Sequence, residues 1–210
     1  MRRRAALLRR LRLHVWRICL REIPATIDAP QLPEELNFIL LDESQMRELG
    51  RCHPMVSEAF VEQAIVQGDS CVVVFRGHEE GTWQEHLMGF SWRTQSSVEF
   101  IEALSVRLKQ ENTFFGFKTW VERQARGMGL FQKMREYQDL HSQSIGTRLG
   151  VAYINVNNHS SWASMQRDVR YKKVGYLVYA GWGKLAWSWV SPGAGQWIEV
   201  MDSGPIYERA

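Results

Sequence analysis

An aromatic and β-branched run from Phe114 to Val121 breaks at Gln124-Ala-Arg-Gly-Met-Gly129, and an amphipathic stretch opens at Leu130. The order reads as a strand, a glycine turn and a helix N-terminus. The first-turn N–H groups of a helix have no intrahelical partner and carry the positive end of its dipole, so such a junction binds phosphate without a side-chain cation. Gly127 and Gly129 lack a Cβ, which permits positive φ and close approach of an anion to the main chain. The two-glycine spacing taken alone fits an ordinary turn equally well.

Around this junction the period of the apolar residues alternates between strand and helix. Leu36 to Leu41 reads as a first strand, and Asp42-Glu-Ser-Gln as a helix entry. Ser44 to Leu49 and Met55 to Val66 carry helical spacing, the second closing on Gly68. Cys71-Val-Val-Val-Phe75 is a buried-strand run that pairs with His86 to Trp92 across a turn at Gly77 to Gly81. Val98 to Leu108 fits a strand or a short helix. Asn112 to Val121 is a strand, and Leu130 to Ile145 a helix with Leu130, Met134, Tyr137, His141 and Ile145 on one face and Gly146 as its stop. Arg148 to Val156, Lys173 to Ala180 and Lys184 to Val190 read as strands, with a polar helix from His159 and a mostly irregular last twenty residues. Interleaved strands and helices with hairpins predict a mixed α/β fold, helices packed on the faces of a mixed sheet.

The 210 residues suit one substantial domain with an extension. Pro24, Pro30 and Pro33 mark a connector, which sets the expected division at a basic extension 1–33 and a domain 34–210. Net charge is +3, yet Arg2, Arg3, Arg4, Arg9, Arg10, Arg12, Arg17 and Arg21 all precede the first acid, Glu22. Leu7, Leu8, Leu11, Val15 and Ile18 share one side of a helical wheel, so residues 1–21 offer a peripheral contact to an anionic membrane. Leu13 to Leu20 also has strand character, and a third reading docks the segment's apolar side on the domain. No apolar stretch approaches the roughly 20 residues of a bilayer span. Cys19, Cys52 and Cys71 are widely spaced, without a C-x-x-C pair, and no histidine pair has metal-ligand spacing. A cytoplasmic protein with free thiols and no metal is expected, with membrane association through residues 1–21 as the variant. The domain shows no basic stripe interleaved with aromatics, so nucleic acid is not an expected partner.

Val121-Glu-Arg-Gln-Ala-Arg-Gly-Met-Gly-Leu130 resembles, without a gap, the acyl-CoA-binding signature of the GNAT N-acetyltransferase superfamily, V-x-P-x-x-R-G-x-G-[IL], whose core is [QR]-x-x-G-x-[GA]. Gln124, Gly127 and Gly129 fill the core, Arg126 is the usual arginine, and Arg123 stands where many members have proline. Val156-Asn157-Asn158-His159-Ser160-Ser161 is similar to the superfamily's V-x-x-x-N-x-x-S stretch. The order of elements from Leu36 to Val190 also resembles GNAT order.

The resemblance implies a GNAT-like fold, a mostly antiparallel twisted sheet flanked by helices. It implies transfer of an acyl group, acetyl foremost, from acetyl-CoA or another acyl-CoA to the amine of a small molecule or peptide. The pyrophosphate would sit on main-chain N–H groups of Arg126, Gly127, Met128, Gly129 and Leu130, and the pantetheine on main-chain groups near Trp120 and Val121, with Gln124 and Asn157 completing the cofactor side. Asn157 reads equally as a helix cap. An attacking ammonium must lose a proton and the oxyanion needs a donor. Glu122, Glu102 and Glu99 are the candidate bases. Tyr171 is the candidate acid if Tyr171-Lys-Lys-Val-Gly-Tyr176 ends the polar helix; an ungapped register from Asn157 instead puts Ser164 in the tyrosine position and carries Arg170 to Ala180 into the next strand. Trp162, Trp182, Trp187 and Trp189 would line an apolar pocket or the core. Two alternatives stand beside this: a longer-chain N-acyltransferase at a membrane surface, and a non-catalytic module that only binds CoA.

Overall fold

The computed structural model describes residues 11–27, 30–31, 33–77, 83–101, 104–182 and 185–201. They divide into two compact units, one of residues 23–95 and 114–148, the other of residues 1–22, 96–113 and 149–210.

In the first unit four antiparallel strands run in the order β7 (Thr113–Val121, whose first residue falls in the other unit), β4 (Leu87–Thr94), β3 (Ser70–Arg76) and β2 (Leu36–Leu40). Helices cover both faces because β3 alternates with period two. Val72 and Val74 meet Leu130 and Met134 of α3 (Leu130–Ser144), together with Leu36 and Ala125. Cys71, Val73 and Phe75 point the other way, into a core with α1 (Glu43–Cys52) and α2 (Glu58–Gln67) that includes Leu49, Val61, Phe90 and Trp92. Asp42 caps α1 in a capping box with Gln45, the entry its sequence announces. Gly68 closes α2 at φ 71°.

Beyond that cap, Asp69 is 7% exposed, and its Oδ1 has no hydrogen-bond partner. Burial pushes its carboxyl up to about 6, against a hydrogen bond from Thr94 that favours the ionised form. The folded state therefore holds this proton more tightly than the unfolded chain. Stability from this group is fully present at acid pH and falls as pH rises from about 4 to about 6, by up to about 3 kcal/mol. Urea midpoints across that range should show the decline in the native protein and not in Asp69→Asn.

The second unit contains β10 (Leu185–Val190), β9 (Tyr171–Trp182), β1 (Leu11–Glu22) and β8 (Leu149–Asn155), antiparallel in that order, and α4 (His159–Gln166). It also holds a three-stranded sheet, β11 (Ile198–Met201), β6 (Leu104–Leu108) and β5 (Ser97–Ile101). One expectation is corrected here. The chain from Leu11 to Glu22 is neither helix nor extension: it pairs with β8 on one side and β9 on the other, burying Trp16, Ile18, Cys19 and Leu20. A division at residue 33 would cut an inner strand away from its sheet. The last twenty residues, read as mostly irregular, are so from 191 to 197 and then add one short strand, β11, whose Ile198 pairs with Leu108 and is buried. The ambiguous stretch from Val98 to Leu108 is the β5–β6 hairpin.

Residues 1–10, with five of the arginines, lie outside the described residues, as do Glu102 and part of the expected turn at Gly77 to Gly81. Among the described residues no helix is long and apolar enough to cross a membrane. The three cysteines form no disulfide; Cys19 and Cys71 are buried and Cys52 is exposed.

Candidate functional site

Strand β7 reaches the glycine loop through an irregularity. Phe90 of β4 pairs with Trp120 and Trp92 with Phe117, so the register shifts between them, where Lys118 takes φ 45°. Such a bulge twists a strand and re-aims the residues after it. The first three residues of β7 are buried and the next six are half-buried. Gly89 permits the close pairing at this end: a Cβ there would lie 2.9 Å from the Trp120 carbonyl oxygen. Glu122 then ends the pairing by donating its N–H to the Met88 carbonyl at 2.8 Å.

The chain next makes a 3-10 turn, Arg123–Ala125, and enters α3 at Leu130. Ala125, Leu130 and Met134 are buried and anchor the loop from below, while Gln124, Arg126, Gly127, Met128 and Gly129 are exposed. Gly127 has φ 90° and Gly129, the N-cap of α3, φ 74°. No side chain caps the helix: the Gly129 carbonyl accepts from Gln132 and Lys133, whereas the N–H groups of Gly127, Gly129, Leu130 and Phe131 meet no backbone acceptor among the described residues. A Cβ built on Gly127 or Gly129 would touch nothing within 4 Å, so the space above both glycines is open. Unpaired donors, the positive end of a helix of 15 residues and open space together suit a pyrophosphate. The Arg126 side chain folds back, its Nε donating to the Val121 carbonyl at 3.3 Å.

Beside the end of β7 lies a residue that sequence reasoning passed over. His53, following α1, meets the Trp120 ring edge-on at 4.4 Å and the Phe90 ring at 4.9 Å. Burial lowers its pKa below the ordinary histidine value, and the Glu122 carboxylate pulls it partly back. Its Nδ1 accepts from the Met55 N–H at 3.3 Å. Neutral imidazole so held carries its proton on Nε2, which makes it a donor rather than a base. A lone histidine has no spacing pattern, and only the packing of α1 against the sheet puts it beside Trp120 and Glu122.

The structure thus brings together Trp120, Val121, Glu122, Gln124, Arg126, Gly127, Met128, Gly129 and Leu130 in one unit, and places Asn157 and Tyr171 in the other. Asn157 does not cap α4: Asn158 does, accepting from the Ser161 N–H at 3.1 Å. Tyr171 opens β9, five residues past the end of α4 at Gln166, as the ungapped register from Asn157 has it. Its ring packs with Cys19, Ala152, Ile154 and Met165, and the Arg21 guanidinium stands 5.3 Å above it. Burial raises the Asp168 pKa, but hydrogen bonds and charge from Arg170, with the charge of Arg21, leave it below its ordinary value. Among the described residues no three His, Cys, Asp or Glu side chains converge on a metal site. A small polar cavity lined by Arg93, Thr94, His141 and Ser142 adjoins the C-terminal half of α3, away from the glycine loop at its N-terminus.

The fold these elements make is that of the GNAT acetyltransferases. A putative GNAT-family acetyltransferase from Novosphingobium aromaticivorans aligns at TM-score 0.54 and 11% identity, over 80% of this chain and 63% of its own. A GCN5-related N-acetyltransferase from Sphaerobacter thermophilus aligns at TM-score 0.56 and 10% identity, over 86% and 56% respectively. A Drosophila protein aligns at TM-score 0.52 and 15% identity over 96% of this chain and 57% of its own. The chain therefore spans less than two thirds of each of these proteins. No family model and no curated protein matches the sequence.

Proposed function

We propose that the chain is an N-acyltransferase that moves an acyl group, acetyl foremost, from an acyl-CoA to an amine. The observation that carries this reading is the glycine loop: two positive-φ glycines with open space above them, and unpaired N–H groups at the start of α3, on a GNAT fold. The residues fit the group. Main-chain N–H groups of Gly127, Gly129 and Leu130 would hold the pyrophosphate, and the half-buried end of β7 near Trp120 and Val121 the pantetheine arm. When bound, the thioester supplies an acyl carbon open to attack by a neutral amine.

The protein's part is position and a proton path. Glu122, half-buried at the end of β7, is the carboxylate we assign to the ammonium proton. His53, neutral and donating through Nε2–H, would orient an oxygen of the acceptor or stabilise developing negative charge. Tyr171, which opens β9 instead of ending α4, and Asn157 lie in the other unit and take no role in this reading.

Release of free thiol from acetyl-CoA, scored across a panel of amines, is the direct test. Glu122→Gln is expected to lower kcat/KM by about 10²–10⁴ and to remove the acid limb of the pH–rate profile, leaving CoA affinity unchanged. CoA binding with no thiol release for any amine of the panel would make the chain a CoA-binding module instead.

A further inference from the structure

We propose that one face of strands β1, β9 and β10 is a docking surface for an anionic lipid bilayer. The register places Leu13 beside Ala180 and Ala180 beside Trp187, and in the next row Val15 beside Val178 and Val178 beside Trp189. Directly paired residues share a face of a sheet, so these six apolar side chains form one two-row patch. The opposite face carries Trp16, Ile18, Leu177 and Tyr179, all buried. On the patch, by contrast, Leu13 is 58%, Trp187 57% and Trp189 44% exposed. Large aromatic side chains gathered in water, over a sheet whose other face is buried at Trp16, Ile18, Leu177 and Tyr179, mark an interaction surface.

Charge decides what fits it. No Asp or Glu occurs from residue 1 to Arg21, nor from Tyr171 to Ile198, so the three strands carrying the patch are free of acid apart from Glu22 at the end of β1. The same strands carry Arg12, Arg17, Lys172 and Lys173, and eight arginines precede Glu22. A second copy of this surface would set cation against cation. An anionic membrane supplies the opposite charge, and its headgroup layer is where tryptophan partitions best. The arginine-rich start read from sequence as an amphipathic contact is thus continuous with a strand whose sheet completes it with tryptophans. This surface is independent of the acyl-transfer reading.

Co-sedimentation of the full chain with vesicles of phosphatidylcholine, alone and with added phosphatidylserine, tests it. Binding is expected only where phosphatidylserine is present, and is expected to fall steeply with salt. Trp187→Ala combined with Trp189→Ala should weaken it about tenfold or more, with CoA affinity unchanged. Reversing charge at Arg2, Arg3 and Arg4 to glutamate should weaken it by a similar factor, and those positions precede β1, so the readout holds even if the tryptophan variant folds poorly. No binding of the native chain to phosphatidylserine vesicles would overturn the proposal. So would a dimer in sedimentation equilibrium that both tryptophans are needed to form, because the patch would then belong to a second copy.

Discussion

Replacing Gly127 with aspartate is expected to abolish CoA binding while leaving the protein folded. Gly127 has φ 90°, a conformation that costs a side-chain-bearing residue about 1–2 kcal/mol, and its side-chain direction is open. The strain alone is tolerable in a domain stable by about 5–15 kcal/mol. The carboxylate matters more: it would stand over the N–H groups that are to receive a pyrophosphate, placing negative charge against negative charge and occupying the donors itself. A loss of about a hundredfold or more in CoA affinity by calorimetry is expected. Gly127→Ala separates the causes, since its methyl meets nothing within 4 Å and carries the strain without the charge. CoA binding unchanged in the aspartate variant would take the pyrophosphate away from this loop, and with it the proposed function.

Asp139→Ala is expected to give the largest loss of stability, about 3–5 kcal/mol. Asp139 is fully buried on α3 and accepts from Arg93 Nη2 at 2.7 Å; Arg93, 5% exposed on β4, also donates to the Ser142 hydroxyl at 2.7 Å and to the Arg135 carbonyl at 3.0 Å. The Phe114 ring lies 3.9 Å from its guanidinium carbon. Removing the carboxylate leaves a desolvated guanidinium without its counter-charge, which is where buried pairs become costly. Arg93→Leu with Asp139→Leu should recover much of the loss, because neither charge then has to be desolvated. The exposed Arg47–Glu62 pair has an equally good bond, 2.8 Å, yet Glu62→Ala is expected to leave the urea midpoint in place, since water screens both partners. If Asp139→Ala is as mild as Glu62→Ala, the buried network does not hold α3 to β4.

Helix α3 shows how far one sequence can be read. Its face of Leu130 and Met134 was legible from period, and both are buried against Val72 and Val74. Ile145, on the same expected face, is 52% exposed, while Arg135, Gln138, Asp139 and Ser142 are buried instead. Hydropathy counts these as surface residues. They are inside because β4 presents Arg93 to them from 46 residues away, and Gln138 donates to the Ser91 carbonyl at 2.8 Å. A pattern that reports on one helix contains no record of the charge its partner strand will carry.

The site divides in the same way. The glycine turn was legible because its requirements are local: positive φ needs glycine at 127 and 129, and the N–H groups without a backbone acceptor come from where α3 begins. His53 was not legible, since its neutral state and its place beside Trp120 and Glu122 come from the meeting of α1, β4 and β7. Strand β1 is the same case on a larger scale. Its alternation allowed helix or strand, and pairing with Tyr153 on one side and Gly175 on the other, both opposite Ile18, settled it.

By itself the sequence determined the order of strands and helices from Leu36 to Val190, apart from the stretch Val98 to Leu108, and the glycine turn suited to an anion, because backbone preference and apolar period act within a few residues. Only the tertiary structure decided that the arginine-rich start continues into an inner strand, that Arg93 and Asp139 are a buried pair, that Asp69 holds its proton to about 6, and that two tryptophans stand in solvent. Each of these depends on which distant segment removes water from a side chain or leaves it there.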